Sequence, residues 1–145
     1  MIRNAAIAIA AVTALAACEP VPPQNATTGS VGGIPLGPFY LVGLGAEAVP
    51  QRDATMVLSA GGMSGTGPCN TYTATNAATL PAVKVSVMNW TDLSCPGLEF
   101  ENRYFHQLTQ AQSMRYEGEL LIVTTPDLEM TFEAGTPVAT TKLGR

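Results

Sequence analysis

The sequence predicts an α+β domain in which a curved, half-barrel-like antiparallel β-sheet packs against one α-helix. Short segments rich in β-branched and alternating apolar residues are separated by Gly- and Pro-containing turns, and one segment alone has helical periodicity. Strands on both sides of a single helix, without a βαβ repeat, are typical of this fold class.

The predicted strands each place apolar residues on one face and end at turn residues. They cover residues 39–44, 54–60, 71–75, 82–88, 114–116, 120–124 and 128–132. In the fourth of these, the alternation of Val83, Val85 and Val87 with polar residues predicts that the three valines face the core. Gly61 and Gly62 predict a turn or bulge before Met63.

The helix is predicted over residues 98–112. Tyr104, Phe105, Leu108 and Ala111 share one face at helical spacing. Glu99 and Glu101 stand near the predicted start, where the helix dipole favours negative charge. This role explains the two carboxylates better than acid/base catalysis does.

The chain divides into four predicted parts. Residues 1–17 form a lipoprotein signal peptide, 18–36 a lipidated cysteine with a flexible linker, 37–134 the domain, and 135–145 a loose tail. The apolar run of the signal is shorter than the roughly 20 residues of a membrane-spanning helix.

The signal ends in Leu15-Ala16-Ala17-Cys18, which resembles the lipobox of bacterial lipoproteins. That resemblance implies acylation of Cys18 and a membrane anchor, with the domain facing the periplasm. An Asp after the cysteine would favour the inner membrane, and because Glu19 follows here, we expect the outer membrane instead. The alternative is an ordinary secretory signal that leaves Cys18 as a free thiol.

The cysteine count agrees with the lipoprotein interpretation. Of the three cysteines, Cys69 and Cys95 remain as an even pair if Cys18 carries lipid. In an oxidising compartment such a pair predicts one structural disulfide. The spacing gives no indication of a redox-active pair of the C-x-x-C type.

Three motifs resemble the META domain, also called the HslJ-like family. They are Ser64-Gly65-Thr66-Gly67-Pro68-Cys69-Asn70-Thr71-Tyr72, then Thr91-Asp92-Leu93-Ser94-Cys95, then Glu101 with Tyr104-Phe105 and Leu108. The resemblance implies structural roles for Gly65, Asn70, Thr91 and Glu101, and a small envelope or heat-shock-associated protein without catalytic residues. The glycines would supply unusual backbone angles at a bend, and Asn70 would bond to local backbone.

Composition excludes several functions. The formal net charge is −4 and the isoelectric point is near 4.8, which leaves no basic surface for nucleic acid. With one histidine and three cysteines, no metal site and no cofactor are expected. A hydrolase built on His106 would need a nucleophile, and Ser64, Ser86 or Ser94 could be chosen only arbitrarily.

The sequence therefore favours a non-enzymatic envelope module that binds or stabilises another envelope component through a sheet edge or groove. Trp90 could line such a groove, or simply belong to the core. The main alternative is a lipid- or acyl-chain-binding protein like the secretin pilotins. That function needs an apolar cavity, which Leu41, Met56, Val85 and Ile122 would line.

Overall fold

The computed structural model describes residues 29–135, which form one helix and eleven strands. The helix α1 spans Leu98–Thr109. The strands before it are β1 (Ser30–Val31), β2 (Ile34–Pro35), β3 (Gly37–Leu44), β4 (Glu47–Ala48), β5 (Thr55–Ser59), β6 (Gly62–Thr66), β7 (Thr71–Asn76) and β8 (Val85–Trp90). The strands after it are β9 (Ser113–Glu117), β10 (Leu120–Thr124) and β11 (Glu129–Ala134).

Nine of these strands form one antiparallel sheet in the order β8-β7-β6-β5-β3-β11-β10-β9, with β4 paired to β3. The first long strand, β3, lies between β5 and the last strand, β11. The sheet curls strongly around α1, which confirms the predicted α+β class with a half-barrel sheet and one helix. No helix in residues 29–135 is long and apolar enough to cross a membrane.

The two ends of the curled sheet meet just before β8 and at the start of β9. Ala82 and Ser113 form an antiparallel bridge there. Val83 N–H donates to the carbonyl of Gln112 at 2.8 Å, and Met114 N–H donates to Pro81 at 2.8 Å. The backbone groups that a curled sheet would otherwise leave unpaired are therefore satisfied at this point.

The buried side chain of Asn76, the last residue of β7, holds this closing segment in place. Its Oδ1 accepts hydrogen bonds from the backbone N–H groups of Ala78 at 3.1 Å and Lys84 at 2.8 Å. Its Nδ2 donates to the carbonyl of Ala82 at 3.2 Å. One amide side chain thus replaces the ladder hydrogen bonds that the loop between β7 and β8 lacks.

The core lies between the inner face of the sheet and α1. Its fully buried side chains come from the sheet (Leu41, Met56, Leu121, Val123, Met130 and Phe132) and from the helix (Tyr104 and Leu108). Each large apolar side chain buried in this way contributes about 1.5–3 kcal/mol. This packing fixes the helix inside the curl of the sheet.

The predicted inward alternation of the three valines is wrong for Val87. Val83 is 6% exposed, whereas Val87 is 53% exposed. The register between β7 and β8 shifts at Thr75 and Asn76, since Val87 pairs with Thr75 and Val85 pairs with Asn76. The extra residue of this bulge turns the following side chains to the opposite face.

The ordered fold begins before residue 37, inside the segment that the sequence assigns to the linker. β1 pairs with β2, and Ile34 is 2% exposed in the core. Gly32 and Gly33, both with positive φ, form the turn of this hairpin. The composition of the segment is that of a linker, but Ile34 lies in the core and Val31 and Leu36 pack against it, which attaches the segment to the domain.

Helix α1 starts at Leu98, as predicted, and ends at Thr109, three residues before the predicted end. Gln112 belongs to the sheet closure instead. Its N–H donates to Thr124 at 2.9 Å, and its carbonyl accepts from Val83. Pairing with Thr124 of β10 and with Val83, just before β8, therefore removes Gln112 from the helical hydrogen-bond pattern.

Candidate functional site

The motif residues Asn70, Thr91 and Glu101 lie together at the start of α1. The carboxylate of Glu101 is buried, with 1% of the residue exposed. Its Oε2 accepts hydrogen bonds from the backbone N–H groups of Cys69 at 2.7 Å and Asn70 at 2.8 Å. Its Oε1 accepts from the Nδ2 of Asn70. We call this arrangement, with Leu93, the Glu101 cluster.

Asn70 uses its whole side-chain amide in this cluster. Besides Glu101, its Nδ2 donates to the carbonyl of Leu93 at 3.0 Å. Its Oδ1 accepts from Leu93 N–H at 2.7 Å and from the Thr91 hydroxyl at 2.8 Å. An amide can donate two hydrogen bonds and accept two, so none of its capacity remains for a ligand.

The glycines of the motif allow close packing, and the prediction that they supply unusual backbone angles is wrong. Neither Gly65 nor Gly67 has a positive φ. A Cβ on Gly67 would lie 2.5 Å from Glu101 Oε2, and one on Gly65 would lie 2.1 Å from the Thr55 carbonyl. The Glu101 carboxylate and the Thr55 carbonyl can therefore approach the backbone closely, because these two glycines have no side chain.

The disulfide between Cys69 and Cys95 lies beside the Glu101 cluster. The two Cα atoms are 5.6 Å apart, which is ordinary for a disulfide. The bond links the residue before Asn70 to the loop that leads into α1. With a sequence separation of 26, it contributes about 3 kcal/mol in the loop-entropy description.

A second polar group, formed by Tyr72, Tyr104 and the carbonyl of Thr55, is buried in the core. Both hydroxyls donate to the carbonyl at 3.0 Å, and they lie 3.1 Å from each other. Burial raises the pKa of the Tyr72 hydroxyl, and burial also raises the pKa of Tyr104 well above its usual value of 10. Both phenols are therefore neutral hydrogen-bond donors at ordinary pH.

The residues considered for a hydrolase do not assemble. His106 is exposed on α1, and within residues 29–135 none of Ser64, Ser86 and Ser94 forms a hydrogen bond with it. The hydroxyl of Ser86 donates weakly to the carbonyl of Thr75 at 3.5 Å. In the same part of the chain, no group of three His, Cys, Asp or Glu residues could hold a metal ion.

An open groove lies between β8 and α1, next to the Glu101 cluster. It has a volume of about 280 Å³, and its lining consists of Trp90, Asn102, Phe105, His106 and Thr109. Trp90 is 52% exposed, and its ring centroid is 6.0 Å from that of the buried Phe105. We call this the Trp90 groove.

Of the groove residues, the sequence singled out Trp90, Phe105 and His106, for different roles. Asn102, His106 and Thr109 are spaced by four and three residues, so one face of α1 presents them together. This spacing was visible in the sequence. The position of this helix face relative to Trp90 depends on how α1 packs against β8, and the spacing of residues does not predict that packing.

The family profile of the META domain matches residues 34–142. The chain belongs to the META domain family. This confirms the resemblance seen in the three motifs, and the match extends beyond both predicted bounds of the domain. The comparison with curated proteins gives no match. Cys18 lies outside the described residues.

Three solved structures resemble this META domain in fold. An NMR structure of a protein from Burkholderia xenovorans is 21% identical, with a TM-score of 0.57, over 86% of this chain and 99% of that one. Another NMR structure is 14% identical, with a TM-score of 0.55, over 67% of this chain and 87% of that one. A crystal structure of a DUF4847 family protein from Bacteroides vulgatus is 14% identical, with a TM-score of 0.50, over 69% and 93% of the two chains.

Replacement of Glu101 by Gln should destabilise the META domain by about 3 kcal/mol or more. The NH₂ group of the new glutamine would face N–H donors of Cys69 or Asn70 that now bind the carboxylate. Those buried donors would then lack an acceptor. Urea unfolding measures the change. Glu99→Gln is the control, because this exposed carboxylate lies in the same helical turn and should cost about 0.5 kcal/mol. Equal losses in the two variants would contradict the role of Glu101.

The two buried tyrosines should make the domain sensitive to alkaline pH. Their pKa values are raised, so the unfolded chain releases these protons near pH 10 while the folded chain retains them. The contribution of these two tyrosines to the free energy of unfolding is thus fully present below pH 10. Above pH 10 it falls by about 1.4 kcal/mol per pH unit for each tyrosine. Urea unfolding between pH 9 and 11 should show a shallower decline for Tyr72→Phe than for the unaltered protein. Tyr116→Phe, which keeps both buried tyrosines, should decline as steeply as the unaltered protein.

Proposed function

We propose that this META domain is a non-enzymatic binding module of the bacterial envelope, held at a membrane by lipid on Cys18. The observation that carries the proposal is the Trp90 groove, where the chain's only tryptophan is half exposed beside Asn102 and His106, whose side chains have no hydrogen-bond partner within residues 29–135. Large aromatic side chains exposed in a concave site are typical of recognition surfaces.

The Glu101 cluster supports this function because it holds both walls of the groove. Glu101 directly precedes Asn102 on α1, and Thr91 directly follows Trp90 on β8. The hydrogen bonds from Asn70 to Glu101 and from Thr91 to Asn70 therefore connect the two walls through one buried amide. A groove supported in this way keeps its shape without a ligand, which lowers the entropic cost of binding.

The core argues against the alternative of acyl-chain binding inside the sheet. Leu41 and Met56 have no exposed surface and belong to the continuous core. Val85 and Ile122 are only partly buried, and neither lines the Trp90 groove. An acyl chain would have to displace packed side chains, so a surface groove is the better-supported binding site.

The disulfide supports export of the domain. Disulfides persist in the periplasm and are rare in the cytosol. Cys69 and Cys95 are bonded, which leaves Cys18 as the one other cysteine of the sequence. We propose that Cys18 is acylated, that the domain faces the periplasm, and that the anchor lies in the outer membrane.

The mass of the protein extracted from its native membranes tests the anchor. We expect a chain that begins at Cys18 and carries two or three acyl groups. Cys18→Ser should abolish the acyl mass, because the serine cannot form the thioether that holds the lipid. Mature protein without acyl groups, obtained from the unaltered sequence, would contradict the anchor.

Site-specific photocrosslinking in the native envelope tests the groove. A benzophenone side chain at position 106 should give a discrete adduct, because His106 lines the Trp90 groove. The same probe at position 57 is the control, since Val57 is 46% exposed on β5 and lies outside the groove. Equal adduct yields at the two positions, or none at position 106 in folded protein, would contradict a partner at the groove.

A further inference from the structure

We infer that the Trp90 groove binds a neutral saccharide. The inference rests on the proposed binding function and names the class of ligand. Its basis is the combination of an exposed indole, a wall of uncharged polar side chains, and a lining without formal charge.

The absence of charge in this lining distinguishes the Trp90 groove from a groove elsewhere on the domain. Of the Lys, Arg, Asp and Glu residues between positions 29 and 135, none lines the Trp90 groove. Another groove, of about 290 Å³, contains Glu47 and Asp53. There Arg103 also pairs with Glu47 at 2.9 Å. Charged ligands would find partners in that second groove, whereas the Trp90 groove offers them none.

The indole of Trp90 supplies the apolar contact that a sugar ring needs. One face of a pyranose ring carries mainly C–H groups, which pack against the electron-rich face of an aromatic ring. Trp90 is half exposed, so its ring is accessible, and Phe105 supports it from the core at an interplanar angle of 54°. A buried tryptophan could not make this contact.

The α1 wall supplies the hydrogen bonds that the hydroxyl groups of a sugar need. Within residues 29–135, the side chains of Asn102 and His106 and the Nε1 of Trp90 have no hydrogen-bond partner. The hydroxyl of Thr109 donates to the carbonyl of His106 at 2.6 Å and accepts from Gln110 Nε2 at 3.3 Å, which leaves it one further acceptor position. An amide that both donates and accepts, next to an imidazole, matches adjacent hydroxyl or acetamido groups.

A second concavity extends the uncharged surface beyond the groove. It has a volume of about 220 Å³, and Trp90 lines it as well. Its other lining residues are mostly Thr and Asn, namely Thr71, Tyr72, Thr73, Asn89 and Thr91. Since Trp90 is common to both linings, an oligosaccharide could contact more than one part of this surface.

The edge of β8 is poorly suited to the competing occupant, an added peptide strand. The bulge between β7 and β8 interrupts its regular pairing, and α1 lies beside it. Bulges and covering helices are the usual means by which proteins prevent strand addition at an exposed edge. Side-chain recognition by Trp90 and α1 therefore fits this edge better.

Tryptophan fluorescence tests the inference directly, because Trp90 is the only tryptophan in the chain. We expect oligomers of N-acetylglucosamine or of glucose to give a saturable blue shift with the purified protein. Calorimetry with Trp90→Ala should then show binding weakened about tenfold or more. Asn102→Ala should weaken it several-fold, and Val57→Ala should leave it unchanged.

The outcomes separate this inference from the proposed function. No saturable change with either saccharide up to about 10 mM, in folded protein, would overturn the saccharide assignment. Unweakened binding in both the Trp90→Ala and Asn102→Ala variants, with unchanged circular dichroism, would also overturn it. A protein adduct at position 106 without saccharide binding would retain the binding module and reject its sugar ligand. Saccharide binding without any adduct in the envelope would retain a binding module with a sugar ligand and reject a protein partner at the groove.

Discussion

The buried carboxylate of Glu101 is the interaction on which the rest of the structure depends. A carboxylate removed from water needs either a cation or several hydrogen-bond donors, and Glu101 has only donors from Cys69 and Asn70. Its position in the first turn of α1 adds the favourable field of the helix dipole. The helix is thereby attached to the loop before β7, and every side chain that α1 presents takes its position from this attachment.

β7 connects the two polar anchors of the fold. Asn70 directly precedes this strand and Asn76 ends it, and both side chains bond to backbone groups of loops that flank β8. At one end this arrangement fixes the start of α1. At the other end it closes the sheet near Ala82. The apolar core stabilises the curled sheet, while the two asparagines determine where its ends and its helix lie.

The sequence predicts those parts of the fold that show regular periodicity. It identified the strand at 120–124 with its bounds and the first residue of α1, because alternation and helical spacing are local properties. It missed β6, since Gly62–Thr66 contains few apolar residues. It also placed Val87 inward, because one bulge changes the face of every later residue in the strand. The partners of Asn70 are 21–31 residues away in the chain, so no local pattern could assign them.

The fold and its candidate recognition surface are built from adjacent but different residues. Asn70 and Glu101 are buried and have all their hydrogen bonds within the domain, so a change at either position disturbs folding before it can alter binding. Trp90, Asn102 and His106 are exposed, and changes there remove little buried surface. Glu101 nevertheless directly precedes Asn102 in the chain, and Asn70 is connected to Trp90 through its hydrogen bond with Thr91. A sequence can therefore keep the positions of the groove walls constant while the side chains on them change, which lets one framework present different recognition surfaces.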